Sequence, residues 1–222
     1  YVIIPAGGNG SRMGGPVPKQ MQDLCGVPVL RRTLELFTGL PFEVRVVIAV
    51  NIGVRPLWVD YCRRSGLMLR YVLTNGGMTR FHSVRKALGF VPDGALVAVH
   101  DAVRPLLRRE DIVRFYEEGE KYPAVVPAVP VPDSVRRLLG DGVSVPVDRE
   151  GLYLVQTPQV FHSEVLKKAY SAAYNPAFTD DASVVESSGV PLHICSGSRL
   201  NIKLTRPEDM ELAERIIASG LV

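Results

Sequence analysis

A chain of 222 residues, 46% hydrophobic and 22% charged, has the make-up of an ordinary globular protein and is long enough to bury a sizeable α/β core without staples. Its formal net charge of +3 suits phosphorylated small molecules and is too small for a nucleic-acid partner, which calls for a basic stripe with interleaved aromatics. Three scattered cysteines with no C-x-x-C pair, a strand-like start with no basic leader, and no apolar run of bilayer length point to reduced thiols, a cytoplasmic location and no membrane.

In chain order, Tyr1 to Ile4 reads as a buried strand, followed by a glycine cluster and a helix over Pro28 to Phe37. Strands over Val44 to Val50 and Leu69 to Leu73 enclose a helix over Pro56 to Ser65. A helix over Arg80 to Leu88 leads to a strand over Ala95 to His100, a helix over Glu110 to Lys121 and a strand over Ala124 to Val129. Continuous apolar strands separated by helices predict a Rossmann-like, mostly parallel twisted sheet with helices on both faces. Between Val131 and Leu154 the pattern breaks, and Asp141-Gly142 between short β-like runs signals a hairpin turn. These residues form either a protruding β-arm or an edge hairpin folded back on the same domain. Helices over Ser163 to Tyr174 and Asp180 to Ser188, a strand over Leu192 to Ser196 and a helix over Pro207 to Ala218 complete a single domain spanning 1–222. Pro207 with Glu208 and Asp209 suits a helix N-terminus.

Pro5-Ala6-Gly7-Gly8-Asn9-Gly10-Ser11-Arg12-Met13-Gly14, with Pro18-Lys19-Gln20 after it, is the most informative segment. Glycines admit positive φ and let a bulky anion approach the backbone N–H groups, so the loop is suited to wrapping a triphosphate. Arg12 adds a planar fork for phosphate oxygens and Lys19 a point charge. No Gly-Lys-Ser/Thr follows, so it is not a P-loop. Met13 stands where a dinucleotide fingerprint needs its third glycine, which disfavours a NAD-dependent oxidoreductase.

This loop resembles the signature of sugar nucleotidyltransferases, and more closely that of the 2-C-methyl-D-erythritol 4-phosphate cytidylyltransferase family. The resemblance covers nearly the whole chain. It extends through Gly76-Gly77-x-x-Arg80-x-x-Ser83-Val84, Val99-His100-Asp101-Ala102-Val103-Arg104-Pro105, Val147-Asp148-Arg149, Gln156-Thr157-Pro158-Gln159, Phe178-Thr179-Asp180-Asp181-Ala182-Ser183 and Asn201-Ile202-Lys203-Leu204-Thr205-Arg206-Pro207-Glu208-Asp209.

The resemblance implies attack of a substrate phosphate oxygen on the α-phosphorus of CTP, with pyrophosphate leaving from the opposite side. A phosphate monoester is already an anionic nucleophile, so the protein has to align reactants and neutralise charge. On this reading Arg12, Lys19 and Lys203 are the catalytic cations, although a lone lysine such as Lys203 is usually a solvated amine. Ala6, Gly7, Gly8, Gly10, Gly77, Met78 and Ser83 would hold CTP, with the base read near Ala6, Gly77, Met78 and Ser83. Met78 stands where some members carry an acidic residue, and Ser83 could equally be a surface or helix-lining hydroxyl. Asp101 would take substrate hydroxyls, with capping of the next segment as the rival role, and Arg104, Thr157 and Thr179 would surround the polyol phosphate. Thr179 could equally be a helix N-cap.

Mg²⁺ is the expected cofactor, bound mainly through the CTP phosphates and water. The four histidines are dispersed and read as structural. In the family the arm embraces a partner subunit, so Ser134, a threonine in many relatives, and Arg149 would complete the partner's site in a homodimer. The alternatives are a cytidylyltransferase for ribitol 5-phosphate or another polyol phosphate, a hexose-1-phosphate nucleotidyltransferase, and a non-catalytic nucleotide-binding regulator.

Overall fold

The computed structural model describes residues 1–8 and 17–222. In chain order come β1 (Val2–Ala6), a 3-10 turn (Lys19–Met21), a small hairpin of β2 (Asp23–Leu24) and β3 (Val27–Pro28), and α1 (Val29–Glu35). Next are β4 (Val46–Val50), α2 (Arg55–Ser65), β5 (Tyr71–Asn75), α3 (Arg80–Leu88), β6 (Leu96–Val99), α4 (Arg109–Gly119) and β7 (Ala124–Pro130). The second half contains β8 (Val135–Gly140), β9 (Val143–Val147), β10 (Tyr153–Val155), β11 (Gln159–His162), α5 (Ser163–Tyr170), α6 (Asp181–Ser187), β12 (His193–Ser196) and α7 (Pro207–Ala218). Among the described residues no helix is long and apolar enough to cross a membrane.

Alternate residues of the central strands go to opposite faces of one sheet. Val2, Ile4 and Ala6 of β1 join Val46, Ile48 and Val50 of β4 in a cluster with Leu30 and Leu34 of α1, Trp58 of α2 and Ile112 and Phe115 of α4. Ile3, Val47 and Ala49 point the other way, against Phe81 and Val84 of α3, Leu166 of α5 and Val185 of α6. Burial on both faces is why these strands read as unbroken apolar runs. A third cluster packs α7, through Ala213 and Ile216, against Leu24, Leu106 and Leu204.

β5, β4, β1 and β6 are neighbours running parallel. β11 enters between β6 and β7, antiparallel to both, so β7 runs parallel to β6. β10 is antiparallel to β7 and β12 parallel to it. Val155 lies opposite Ala128 and Val160 opposite Val125, so β10 and β11 run end to end along β7, interrupted at Gln156-Thr157-Pro158. The mostly parallel, doubly covered sheet agrees with the expectation from the sequence.

Strands β10 and β11 went unrecognised in the sequence. Each is very short, and Pro158, which has no backbone N–H, breaks the run between them. Strands β8 and β9 form a two-stranded sheet of their own, closed by Asp141-Gly142 at φ 46° and 76°. Two consecutive positive φ values are the signature of the tight hairpin turn that Asp-Gly favours. The predicted arm, drawn to residue 154, ends earlier, because Tyr153 already pairs with Pro130 of the main sheet. Four helices end earlier than expected: α1 at Glu35, α4 at Gly119, α5 at Tyr170 and α6 at Ser187.

Candidate active site

β1, β4, β5 and β6 end on the same edge of the sheet, and open α/β sheets bind ligands at the carboxyl ends of their strands. A cavity of about 360 Å³ opens there. Ala6, Gly7 and Gly8 line it after β1, Asn51 after β4, Gly77 and Met78 after β5, and Asp101 after β6. Lys19, Gln20, Arg80, Ser83 and Lys203 enclose it further. A second cavity of about 210 Å³ is lined by Arg104, Gln156, Thr157, Gln159, Thr179 and Asp180. Arg80, Asp101 and Lys203 line both cavities and form the wall between them.

Two side chains shape the first cavity from behind. Gln20, buried, donates from Nε2 to the carbonyls of Ala6 at 2.9 Å and Gly8 at 3.4 Å, and so ties the 3-10 turn to the start of the glycine loop. Ser83, buried in α3, accepts the Gly77 N–H at 3.0 Å and donates its own proton to the Thr79 carbonyl at 3.0 Å. Its hydroxyl proton is thereby committed, and the oxygen offers only a lone pair to a ligand. Gly77 has to be glycine, because a Cβ there would lie 2.3 Å from the Cβ of His82 and 2.8 Å from its carbonyl carbon. Met78 is 96% exposed, so the departure from an acidic residue falls on a side chain with no packing role.

The shared wall is a knot of charge. Asp101 Oδ1 faces Arg80 Nε at 3.3 Å, and its Oδ2 faces Lys203 Nζ at 2.9 Å and Arg104 Nε at 3.4 Å. Burial works to raise the Asp101 pKa, but the charges of Arg80, Lys203 and Arg104 outweigh it and hold the carboxyl well below the usual carboxylate range. Arg80 also donates from Nη2 to Asp181 at 2.5 Å, and Tyr170 donates its hydroxyl to the other oxygen of Asp181 at 2.6 Å. Burial opposes the Arg80 charge, yet Asp181 and Asp101 raise its pKa, so it stays a cation. Burial lowers the Arg104 pKa, with Asp101 opposing the shift.

Behind this knot lies His100, fully buried. Its Nε2 faces the Arg104 carbonyl at 3.0 Å, which can only accept, so Nε2 carries the proton. Nδ1 is then an acceptor for the Thr157 hydroxyl at 3.2 Å, and the Thr157 oxygen takes the Asp101 N–H at 3.0 Å. Burial lowers the His100 pKa to about 4, which keeps the ring neutral near pH 7.

The structure gathers the expected residues with few exceptions. Ala6, Gly7, Gly8, Lys19, Gly77, Met78, Ser83, Asp101 and Lys203 surround the first cavity, and Arg104, Thr157 and Thr179 the second. Gly10 and Arg12 lie outside the described residues. Thr157 lines the cavity, but its hydroxyl is committed to His100 and the Asp101 amide, so it supports Asp101 instead of offering an open group. Thr179 is not a helix cap: Asp180 caps α6 by accepting the Ser183 N–H, and Thr179 precedes it. Ser134 and Arg149 line neither cavity of their own chain; both are exposed, and Arg149 donates to the Pro132 carbonyl.

Arg80 lines both cavities, yet the sequence did not single it out. It stands inside the Gly76-Gly77-x-x-Arg80 segment, but an arginine in a first helical turn reads as solvated, and Asp101 and Asp181 reach it only through the fold.

The family model for 2-C-methyl-D-erythritol 4-phosphate cytidylyltransferase matches residues 1–219. The chain is 45% identical over 217 residues to the enzyme of that name from Phocaeicola vulgatus, covering 98% of this chain and 99% of that one. It is 43% identical to the namesake from Bacteroides thetaiotaomicron, covering 97% and 98%. The crystal structure of the Thermus thermophilus 2-C-methyl-D-erythritol 4-phosphate cytidylyltransferase superposes with a TM-score of 0.81 at 31% identity, covering 98% of each chain. A crystal structure of 4-diphosphocytidyl-2C-methyl-D-erythritol synthase also gives 0.81, at 30% identity and 97% of each chain. With most of the site residues assembled and the whole length matched, the chain belongs to the 2-C-methyl-D-erythritol 4-phosphate cytidylyltransferase family.

Proposed function

We propose that this chain transfers the cytidylyl group of CTP to 2-C-methyl-D-erythritol 4-phosphate, forming 4-diphosphocytidyl-2-C-methyl-D-erythritol and pyrophosphate. The observation that carries this reading is the wall of Arg80, Asp101 and Lys203 shared by two adjoining cavities, the larger for the nucleotide and the smaller for the acceptor. An acceptor phosphate oxygen attacks the α-phosphorus across that wall, and the bond from that phosphorus to the bridging oxygen of the β-phosphate breaks. Lys203 neutralises charge on the transferring group, and Lys19, with Arg12, holds the triphosphate.

Ser83 supports the choice of base. With its proton held by Thr79, its oxygen accepts from the exocyclic amine of cytosine and repels the carbonyl that uracil carries at the same place. On the acceptor side Asp101 takes the polyol hydroxyls, and Arg104 and Thr179 approach the phosphate. Arg104 spends Nε on Asp101 and Nη1 on the Asn201 carbonyl at 2.6 Å, which leaves N–H groups for a phosphate oxygen.

Mg²⁺ would be held by the substrate phosphates and would screen their charge. The two carboxylates lining the cavities fit that arrangement. Asp101 faces three cations, and Asp180 accepts from Ser183 N and from Gln159 Nε2, so both are engaged within the protein. A homodimer completes the site, with Ser134 and Arg149 of each arm reaching the partner's acceptor phosphate. Support comes from the exposed apolar Leu138, Leu139 and Val143 on the arm. The free thiols of Cys25, Cys62 and Cys195 support a cytoplasmic setting.

The test is pyrophosphate release with Mg²⁺, each of the four nucleoside triphosphates, and a panel of polyol phosphates. CTP with methylerythritol phosphate is the expected pair. Faster use of ribitol 5-phosphate would overturn the acceptor, and CTP binding without turnover would point to a regulator.

A further inference from the structure

The two glutamines of Gln156-Thr157-Pro158-Gln159 have no part in the chemistry described so far, yet both are buried at the acceptor cavity. Strand β12 ends at Ser196, opposite Ala128, and the chain then leaves the sheet toward Lys203. There the Gln156 side chain stands in for a neighbouring strand. Its Nε2 donates to the Ser198 carbonyl at 2.8 Å, and its Oε1 accepts the Ser198 N–H at 3.1 Å and an N–H of the Asn201 side chain at 3.4 Å. Gly197 leaves room for this clamp, since a Cβ there would lie 2.5 Å from Gln156 Oε1. Asn201, fully buried, continues the attachment by donating to the Thr157 carbonyl at 2.8 Å.

Gln159 does the same on the opposite wall. Its Oε1 accepts the Ala182 N–H at 2.8 Å, and its Nε2 donates to Asp180 at 2.7 Å. These residues form the start of α6, next to Thr179. Between the two glutamines, Thr157 holds the Asp101 amide. One four-residue segment therefore fastens three walls of the acceptor cavity: the Lys203 loop, Asp101 and the Thr179 turn.

We infer that Gln156 and Gln159 are positioning residues for the acceptor half of the site, setting Lys203 and Thr179 respectively without touching the nucleotide. The inference deepens the proposed function and rests on it for its kinetic part. Gln156→Glu and Gln159→Glu keep the shape and remove the amide donors, placing a carboxylate oxygen against the Ser198 carbonyl and the Asp180 carboxylate.

The experiment combines steady-state kinetics, CTP affinity by calorimetry and deuterium exchange by mass spectrometry on the intact 222-residue chain. In Gln156→Glu, exchange should rise over 197–204, and in Gln159→Glu over 179–183, each leaving the other segment unchanged. Both should lose about tenfold or more in kcat/KM for methylerythritol phosphate, the scale of one buried charge-adjacent hydrogen bond, while CTP affinity stays within about twofold. Gly197→Ala, which displaces the Gln156 amide, should reproduce the Gln156→Glu pattern. Unchanged exchange, wild-type acceptor kinetics, or equal losses toward CTP and acceptor would overturn the inference. Failure of the wild-type chain to use methylerythritol phosphate would instead refute the proposed function, and the segment-specific exchange would still decide the clamps.

Discussion

Replacing Asp101 by asparagine removes one negative charge from the centre of three cations and keeps the side chain's shape. Lys203, Arg80 and Arg104 lie 2.9, 3.3 and 3.4 Å from the carboxylate. Deleting one partner of a buried ion pair costs about 3–5 kcal/mol, because the other charge is left desolvated. The lower end applies here, about 3 kcal/mol, since Arg80 retains Asp181 and the Lys203 side chain is 40% exposed and can turn to water. The effect on substrates is asymmetric. The acceptor loses a charge-assisted hydrogen bond to its hydroxyls, about 1.5–3 kcal/mol, or about 10- to 150-fold in kcat/KM. CTP carries negative charge beside this wall and loses nothing, so its affinity should hold or tighten. Urea unfolding, calorimetric CTP binding and acceptor kinetics on one preparation separate these effects. Weakened CTP binding with an unchanged acceptor KM would refute the reasoning, by assigning Asp101 to the nucleotide.

Further outcomes follow from the same geometry. Lys203→Ala and Lys19→Ala should each reduce kcat at least about a hundredfold, the scale of losing a cation aimed at a transition state, and full activity in either would sink the mechanism. Ser83→Ala should narrow the preference for CTP over UTP, read as the ratio of kcat/KM, and an unchanged ratio would remove Ser83 from base selection. Gly77→Ala forces a methyl into the His82 backbone and should abolish measurable CTP binding while the sheet still folds. His100 has an unfolded pKa near 6.5 and a folded pKa of about 4, so between these values the unfolded chain binds more protons and stability falls as pH drops. The full window is worth about 3 kcal/mol, and a His100→Asn variant should show a flatter unfolding profile between pH 6.5 and 4.

Much of the site was legible from local chemistry. The glycine loop with Lys19 announces itself through steric needs and residue type, Asp101 through its place at a strand end, and the Gly76-Gly77 turn through the family resemblance. The Asp-Gly hairpin and the Pro207 start of α7 were readable for the same reason, since backbone φ preference and missing N–H groups act within a few residues. The unbroken apolar runs of β1 and β4, both buried on two faces, likewise pointed to the layered fold.

Other features exist only once distant segments meet. The depressed pKa of Asp101 comes from Arg80, Arg104 and Lys203, two of which are remote in the chain, and no local window contains that field. Arg80 gained its role from Asp181, far away in the sequence, and Thr157 lost an open one to His100. Strand β11 was hidden because its place between β6 and β7 is decided by pairing across the sheet, not by its own four residues. Local sterics and periodicity are written in the residues themselves. Electrostatic partnership and strand register depend on separations in space, and those were settled by packing the two apolar faces of the sheet.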